Sequence, residues 1–295
     1  MNYLHQVQKA LDYIEAHLDA DISLSRVARE AAISQWHFAR IFKALTNETL
    51  KSYIRSRRLS NALDKLLTTD ERIIEIAMDT GFASQESFSR AFKKTFDLSP
   101  HAARKLGKRN MAVQKIKFDT EYLRHIHQNI SLTPEIYSQP KRVFIGMKTE
   151  FFSVDSEKNN IADKLPPLWE KFLAHIGEIE HIVAGNMYGI IKQTPENSDL
   201  LEYYAAVEVG KVTTLPAGMN ALELPATTYA KFRHDGHFDS LNNSVNYIYS
   251  SWLFESGARH NYGADLEIYG AEYSPDTDDS VIYYAIPLER NPEYG

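Results

Sequence analysis

Apolar residues Leu4, Val7, Leu11, Ile14 and Leu18 recur at steps of three and four, the spacing of one buried helix face, and predict a helix from about Asn2 to Asp19. Ser23 then stands as an N-cap before Leu24, Val27 and Ala28, and Ser34 before Phe38, Ile41, Phe42 and Leu45, so two short, tightly joined helices follow. The stripe Tyr53, Ile54, Leu59, Ala62, Leu63, Leu66 and Leu67 predicts one long helix. The short pair then returns. Ala28 maps to Ala77 at an offset of 49, and Ser34, Gln35, Phe38, Arg40, Phe42 and Lys43 map to Ser84, Gln85, Phe88, Arg90, Phe92 and Lys93 at an offset of 50. The residue gained lies in the turn, where the second copy has Gly81, suited to a positive φ, and the first has only Ala31 and Ala32. Ser99 and Pro100 read as N-cap and first residue of a last helix ending at Leu106.

Beyond a mixed, charged stretch the pattern changes. Arg142 to Phe152, Tyr203 to Val209, Thr228 to Arg233, Leu266 to Tyr269 and Val281 to Ile286 are rich in β-branched and aromatic residues and are bounded by Pro, Gly and Asp, as strands are. Leu165 to Ile176 and Leu241 to Phe254 keep helical spacing, and each carries a tryptophan, Trp169 and Trp252. Strand, helix, Tyr-containing strand, acidic turn and strand succeed one another over roughly 141–209 and again over roughly 225–288. The second part therefore reads as α+β, built of two pseudo-repeated βαββ halves with a groove between them for a ligand.

A chain of 295 residues suits two domains, and with 43% hydrophobic and 24% charged residues both can bury a core. No apolar run approaches the length of a membrane span, and Met1 to Leu18 does not form a signal-peptide block, so the expected location is the cytoplasm. Without cysteine, disulfides, thiolate metal sites and a cysteine nucleophile are excluded. The net charge of −6 hides a division: residues 1–110 hold 18 Lys and Arg against 13 Asp and Glu, net +5, and the remainder 15 against 26, net −11. Only the first part suits a polyanion.

If each second short helix buries its Phe pair, Gln35, Trp36, Ala39, Arg40 and Lys43 point outward in the first copy and Gln85, Glu86, Ser89, Arg90 and Lys93 in the second. Arg suits guanine O6 and N7, Gln adenine, Glu the cytosine amino group, and Trp a thymine methyl or a sugar. Lys43, Arg55, Lys93 and Lys94, with Arg57 and Arg58, are the candidates for phosphate contacts. His234 and His237 in HDGH lack a metal-site spacing and read as turn residues; no metal ligand set, cofactor motif, nucleophile–base pair or phosphate loop is present, so the chain is read as a non-enzyme.

The segments LSRVAREAAISQWHFARIFKALT and IIEIAMDTGFASQESFSRAFKKTFDLSP resemble the AraC/XylS family of transcription regulators over about residues 5–106. The resemblance implies seven helices, with the long middle helix setting two recognition helices into successive major grooves of an asymmetric double-stranded DNA site. It places Trp36 and Arg40 at base-reading positions of the first unit, and Gln85, Glu86, Ser89 and Arg90 at those of the second. Ala39 stands where some relatives have a longer polar side chain. Activation, with RNA polymerase as partner, is the family's commoner habit.

LPATTYAKFRHDGHFDSL, LEIYG and VIYYAIPLE resemble the GyrI-like effector-binding domain over roughly residues 132–291. That resemblance implies an aromatic cleft with a glutamate at its floor that attracts cationic, lipophilic compounds, here Glu267, with Tyr269, Trp169, Tyr188, Tyr204 and Trp252 as wall candidates. The expected organisation is a DNA-binding domain at 1–110, a linker at 111–131 and an effector-binding domain at 132–291.

Overall fold

The computed structural model describes residues 3–107, 133–194, 199–275, 277 and 279–289. The expected linker at 111–131 lies outside the described residues, as does Asn2 at the start of the expected first helix.

The helical part comprises α1 (Tyr3–Ala16), α2 (Leu24–Glu30), α3 (Gln35–Thr46), α4 (Leu50–Thr68), α5 (Ile73–Asp79), α6 (Gln85–Phe96) and α7 (Pro100–Leu106). Serine caps do what their positions predict: Ser23, Ser34, Ser84 and Ser99 accept from the backbone N–H groups of Arg26, His37, Ser87 and Ala102. Helix α1 stops at Ala16, short of the expected Asp19. The two turns solve the same geometry differently. Gly81 takes φ +79°, whereas in the first unit Ala32 itself adopts φ +53°, a conformation that costs an L-residue about 1–2 kcal/mol.

The second part forms one eight-stranded antiparallel sheet: β1 (Glu135–Gln139), β2 (Arg142–Phe152), β3 (Ile182–Gln193), β4 (Leu200–Val209), β5 (Asn220–Leu224), β6 (Thr227–Asp235), β7 (Asp265–Tyr269) and β8 (Val281–Leu288). Helix α8 (Ile161–His175) joins β2 to β3. Helix α9 (Leu241–Tyr247), continued by a π turn at Ile248–Trp252, lies between β6 and β7. Strands β1 and β5 were not among the sequence expectations, β3 takes the place of the Tyr-containing strand expected in the first half, and His234 of the supposed turn belongs to β6. The order β1-β6-β8-β7-β3-β4-β2-β5 reads the same in reverse when β1–β4 and β5–β8 exchange places, and the halves meet where β3 pairs with β7.

Apolar packing does not follow the division drawn from the sequence. One cluster runs from Val7, Leu11 and Phe38 of the first helix-turn-helix unit into Phe172, Tyr203, Ile248 and Ile286 of the sheet part. The second unit has its own core of Leu59, Leu63, Phe88, Phe92 and their neighbours. The first unit is thus welded to the effector part, and the second stands apart on the far end of α4.

Candidate nucleic-acid interface and effector cleft

On α6, Phe88 and Phe92 are fully buried, which turns Gln85, Glu86, Arg90, Lys93 and Lys94 outward; all five are exposed and Ser89 is half-buried. On α3 the same pattern buries Phe38 and Phe42 and aims Trp36 and Arg40 away from the helical core. There they meet the effector part. Trp36 is 4% exposed and Arg40 7%. Gln35 and Lys43 are half-buried, and Arg55 on α4 is exposed.

The clasp on α3 is the loop after β2. Arg40 Nη1 donates to Asp155 Oδ2 at 2.8 Å, both side chains being nearly solvent-free, and the Lys43 ammonium donates to the Val154 carbonyl. Glu157 accepts from Thr49 and pairs with Lys51. The ion pair is single-pronged: Arg40 Nε and Asp155 Oδ1 have no partner among the described residues, nor has Trp36 Nε1. Each such buried group costs about 1–3 kcal/mol, so the contact is specific yet poorly satisfied. The Arg40 guanidinium also lies 5.2 Å from the centroid of the Tyr249 ring. Asp155, with the tyrosines and Asp265 behind it, outweighs burial and holds that guanidinium's pKa above its ordinary value.

Next to Arg40, His37 enters a second buried network. His260 Nε2 lies 3.1 Å from His37 Nε2 and 2.8 Å from Asp265 Oδ1. The Tyr262 N–H donates to His260 Nδ1 at 2.8 Å, which puts the His260 proton on Nε2. His37, His260 and Asp265 bring three ligand-type atoms within 4.8 Å of one another. A protonated Nε2 has no lone pair for an ion, however; His260 donates that proton to Asp265 Oδ1, while His37 Nδ1 accepts from Gln193 Nε2 at 2.9 Å, and the group is a buried polar network. Asp265 Oδ2 completes it by accepting from Tyr249 and Tyr284.

Burial, then His260 and Arg40, hold the His37 imidazole well below its ordinary 6.5. A depressed base disfavours the docked state when protonated. The contribution of His37 to the docking of α3 is therefore fully present above about pH 6.5 and is lost as pH falls below it, down through the depressed value. The protection factors of the α3 amides, which remove the intrinsic pH dependence of exchange, should fall between about pH 7.5 and about pH 5.5 in the parent and change less in His37→Gln. Equal responses would remove His37 as the cause.

Glu267 is 6% exposed, on the helix-covered face of β7 and directly opposite Gly189. Tyr203 and Tyr269 both donate to its Oε2, at 2.5 and 2.8 Å, and Trp169 Nε1 donates to the Tyr203 hydroxyl at 3.0 Å. Burial pushes the Glu267 carboxyl up, partly offset by the two hydroxyls and by Arg40. A cavity of about 230 Å³ lies above it, between Leu165 of α8 and Val245 of α9, and its roof is Trp36 and Arg40.

Of the six residues expected to hold a ligand, Glu267 lines this cavity, and Tyr269 and Trp169 buttress it from behind. Tyr188 and Tyr204 lie on the opposite face of the sheet, in the cluster with Phe144 and Leu266, because strand side chains alternate. Trp252 packs against Phe232 instead. Tyr203 and Asp155 were missed. Tyr203 adjoins Tyr204, and only the register with Ile191 tells which of the two faces Glu267. Asp155 has no local signature, since its partner is 115 residues away.

No helix among the described residues is long and apolar enough to cross a membrane. A helix-turn-helix domain model matches residues 27–106, and the family model described as integron-associated effector binding protein matches residues 135–287. The regulatory protein SoxS of Salmonella typhimurium is 39% identical over 100 residues, covering 34% of this chain and 94% of SoxS. The Bacillus subtilis regulator YbfP, itself uncharacterized, is 45% identical over 109 residues, 37% of each chain. The transcriptional regulator Rob of Salmonella typhimurium is 27% identical over 299 residues, covering 96% of this chain and 98% of Rob. With its capped helix-turn-helix pair and a sheet part that carries its own cleft, the chain belongs to the AraC/XylS-type transcription regulators that carry an effector-binding domain of the integron-associated type.

Proposed function

We propose that this regulator is an activator that binds an asymmetric duplex through both recognition helices, engages RNA polymerase there, and senses a small lipophilic cation over Glu267. Gln35, Trp36 and Arg40 read bases in the first unit and Gln85, Glu86, Ser89 and Arg90 in the second, while Lys43, Arg55, Lys93 and Lys94 bind phosphates. The observation that carries the reading is the outward face of α6, where Gln85, Glu86 and Arg90 stand exposed beside Lys93 and Lys94 on a helix anchored by two buried phenylalanines. Arginine and glutamine on such a face match base edges, and the lysines match the backbone on either side. The cation preference is supported by a carboxylate buried among tyrosines, an arrangement that is costly unless a positive charge visits it.

Duplexes selected from a random pool by the full chain supply the test. Arg90→Ala should weaken the selected duplex by about 1–3 kcal/mol and relax preference at one base pair, whereas Lys93→Ala should weaken all sequences alike and reduce the salt slope by about 1. An Arg90→Ala protein that selects the parent's sequence with the parent's affinity would remove α6 as a reading helix.

A further inference from the structure

Helix α3 lies across the mouth of the cleft that holds Glu267, so the roof of the effector cavity is made of DNA-reading side chains. We infer that Arg40 is the cleft's built-in ligand: a cation of the DNA-binding part occupies the aromatic, acidic groove, and an external lipophilic cation releases α3 to DNA by taking its place. The inference rests on the reading of the cleft as an effector site and adds how that site is regulated.

Three observations converge on it. First, the surroundings of Arg40 are those of a cation site: an ion pair to Asp155 at 2.8 Å, the Tyr249 ring 5.2 Å away and the Trp36 ring 6.0 Å away. Behind them, the Tyr249 and Tyr284 hydroxyls are tied to the buried Asp265.

Second, the space is too small as it stands. A cavity of about 230 Å³ falls below the roughly 300–1,000 Å³ of pockets that bury drug-sized ligands. The floor is sheet and its side walls are α8 and α9; the roof, Trp36 and Arg40, comes from a different part of the chain and is the one wall whose polar groups are left unsatisfied among the described residues, although Trp36 shares the apolar cluster.

Third, the roof is the poorly satisfied part. Trp36 Nε1, Arg40 Nε and Asp155 Oδ1 are all buried without a partner among the described residues. Opening returns them to water or offers the two N–H groups to DNA. A bulky cation attracted by Glu267 repels Arg40 and claims its volume. A ligand shifts an equilibrium only by its differential affinity for the two states, and here that difference comes from the space and charge Arg40 vacates.

The test uses the full chain, its selected duplex, and two probes with the same three phenyl rings: methyltriphenylphosphonium, which is charged, and triphenylphosphine oxide, which is neutral. The phosphonium should tighten duplex binding by about tenfold and the oxide should not. Asp155→Asn should raise duplex affinity by about tenfold without any probe, and the phosphonium should add little to it. In the parent chain the phosphonium should also accelerate amide exchange over residues 35–46, a readout that does not depend on the variant folding. The inference is overturned if the phosphonium does not bind, if it binds but leaves duplex affinity unchanged or lowered, or if exchange over α3 is unaltered. Duplex binding that remains sensitive to Arg90→Ala in those cases would show that the DNA-binding reading survives.

Discussion

Asp265→Ala is expected to lower the unfolding free energy by about 3–5 kcal/mol, among the larger effects a single substitution can produce in this chain. The side chain is fully buried and accepts from three donors: the Tyr249 hydroxyl at 2.6 Å, the Tyr284 hydroxyl at 2.7 Å and His260 Nε2 at 2.8 Å. Truncation strands all three in a dry interior. Each loses a charge-assisted bond and keeps its desolvation cost, so the penalty exceeds that of a cavity of the same size. Because His260 reaches His37 of α3, the damage extends to the contact between the two parts. Asp265→Asn keeps the volume and an acceptor oxygen and should cost roughly half as much. Thermal unfolding should show the alanine variant melting roughly 10 °C lower. A shift under about 2 °C would mean that water reaches these donors once the carboxylate is gone.

Gly189→Ala should injure the effector cleft almost as severely and from the opposite side. The φ of Gly189 is not in the positive region, so the reason for glycine here is space: a Cβ would overlap the Tyr203 hydroxyl and Glu267 Oε2. Both atoms are buried and bonded to each other, so neither can swing into solvent. Overpacking costs about 1–3 kcal/mol, and disruption of a hydrogen bond to a carboxylate adds a similar amount. The expected result is a loss of about 2–4 kcal/mol in stability and of phosphonium binding, with the exposed face of α6 untouched. A variant that binds the phosphonium as the parent does would show that the Tyr203–Glu267 bond is not part of the ligand site.

How much of this was legible in advance follows from the range of the interactions involved. Helix starts were readable because a cap is local: Ser34 and Ser84 each bond to an N–H three residues on, and the Phe pair that follows fixes the buried face. The doubled motif and the opposite charges of the two parts were readable for the same reason, as properties of short windows. Strands β2 and β7 were recognised by composition. β3 was expected only as a Tyr-containing strand without bounds, since its first half, Ile182–Asn186, is exposed and carries Gly185 at φ +126°.

Local pattern and motif were enough to place two recognition helices, to tell which of their side chains leave the helical core, and to put Glu267 on a strand of the effector-binding part. That one of those helices is covered, while the outward face of the other is exposed among the described residues, came from the folding of the chain. Periodicity states which face of an element is buried by its own neighbours along the chain. It is silent about a surface 115 residues away that carries the matching carboxylate. The faces of Tyr203 and Tyr204 were open for a related reason: a strand's two sides are told apart by what packs on them, and that is settled by pairing across the sheet.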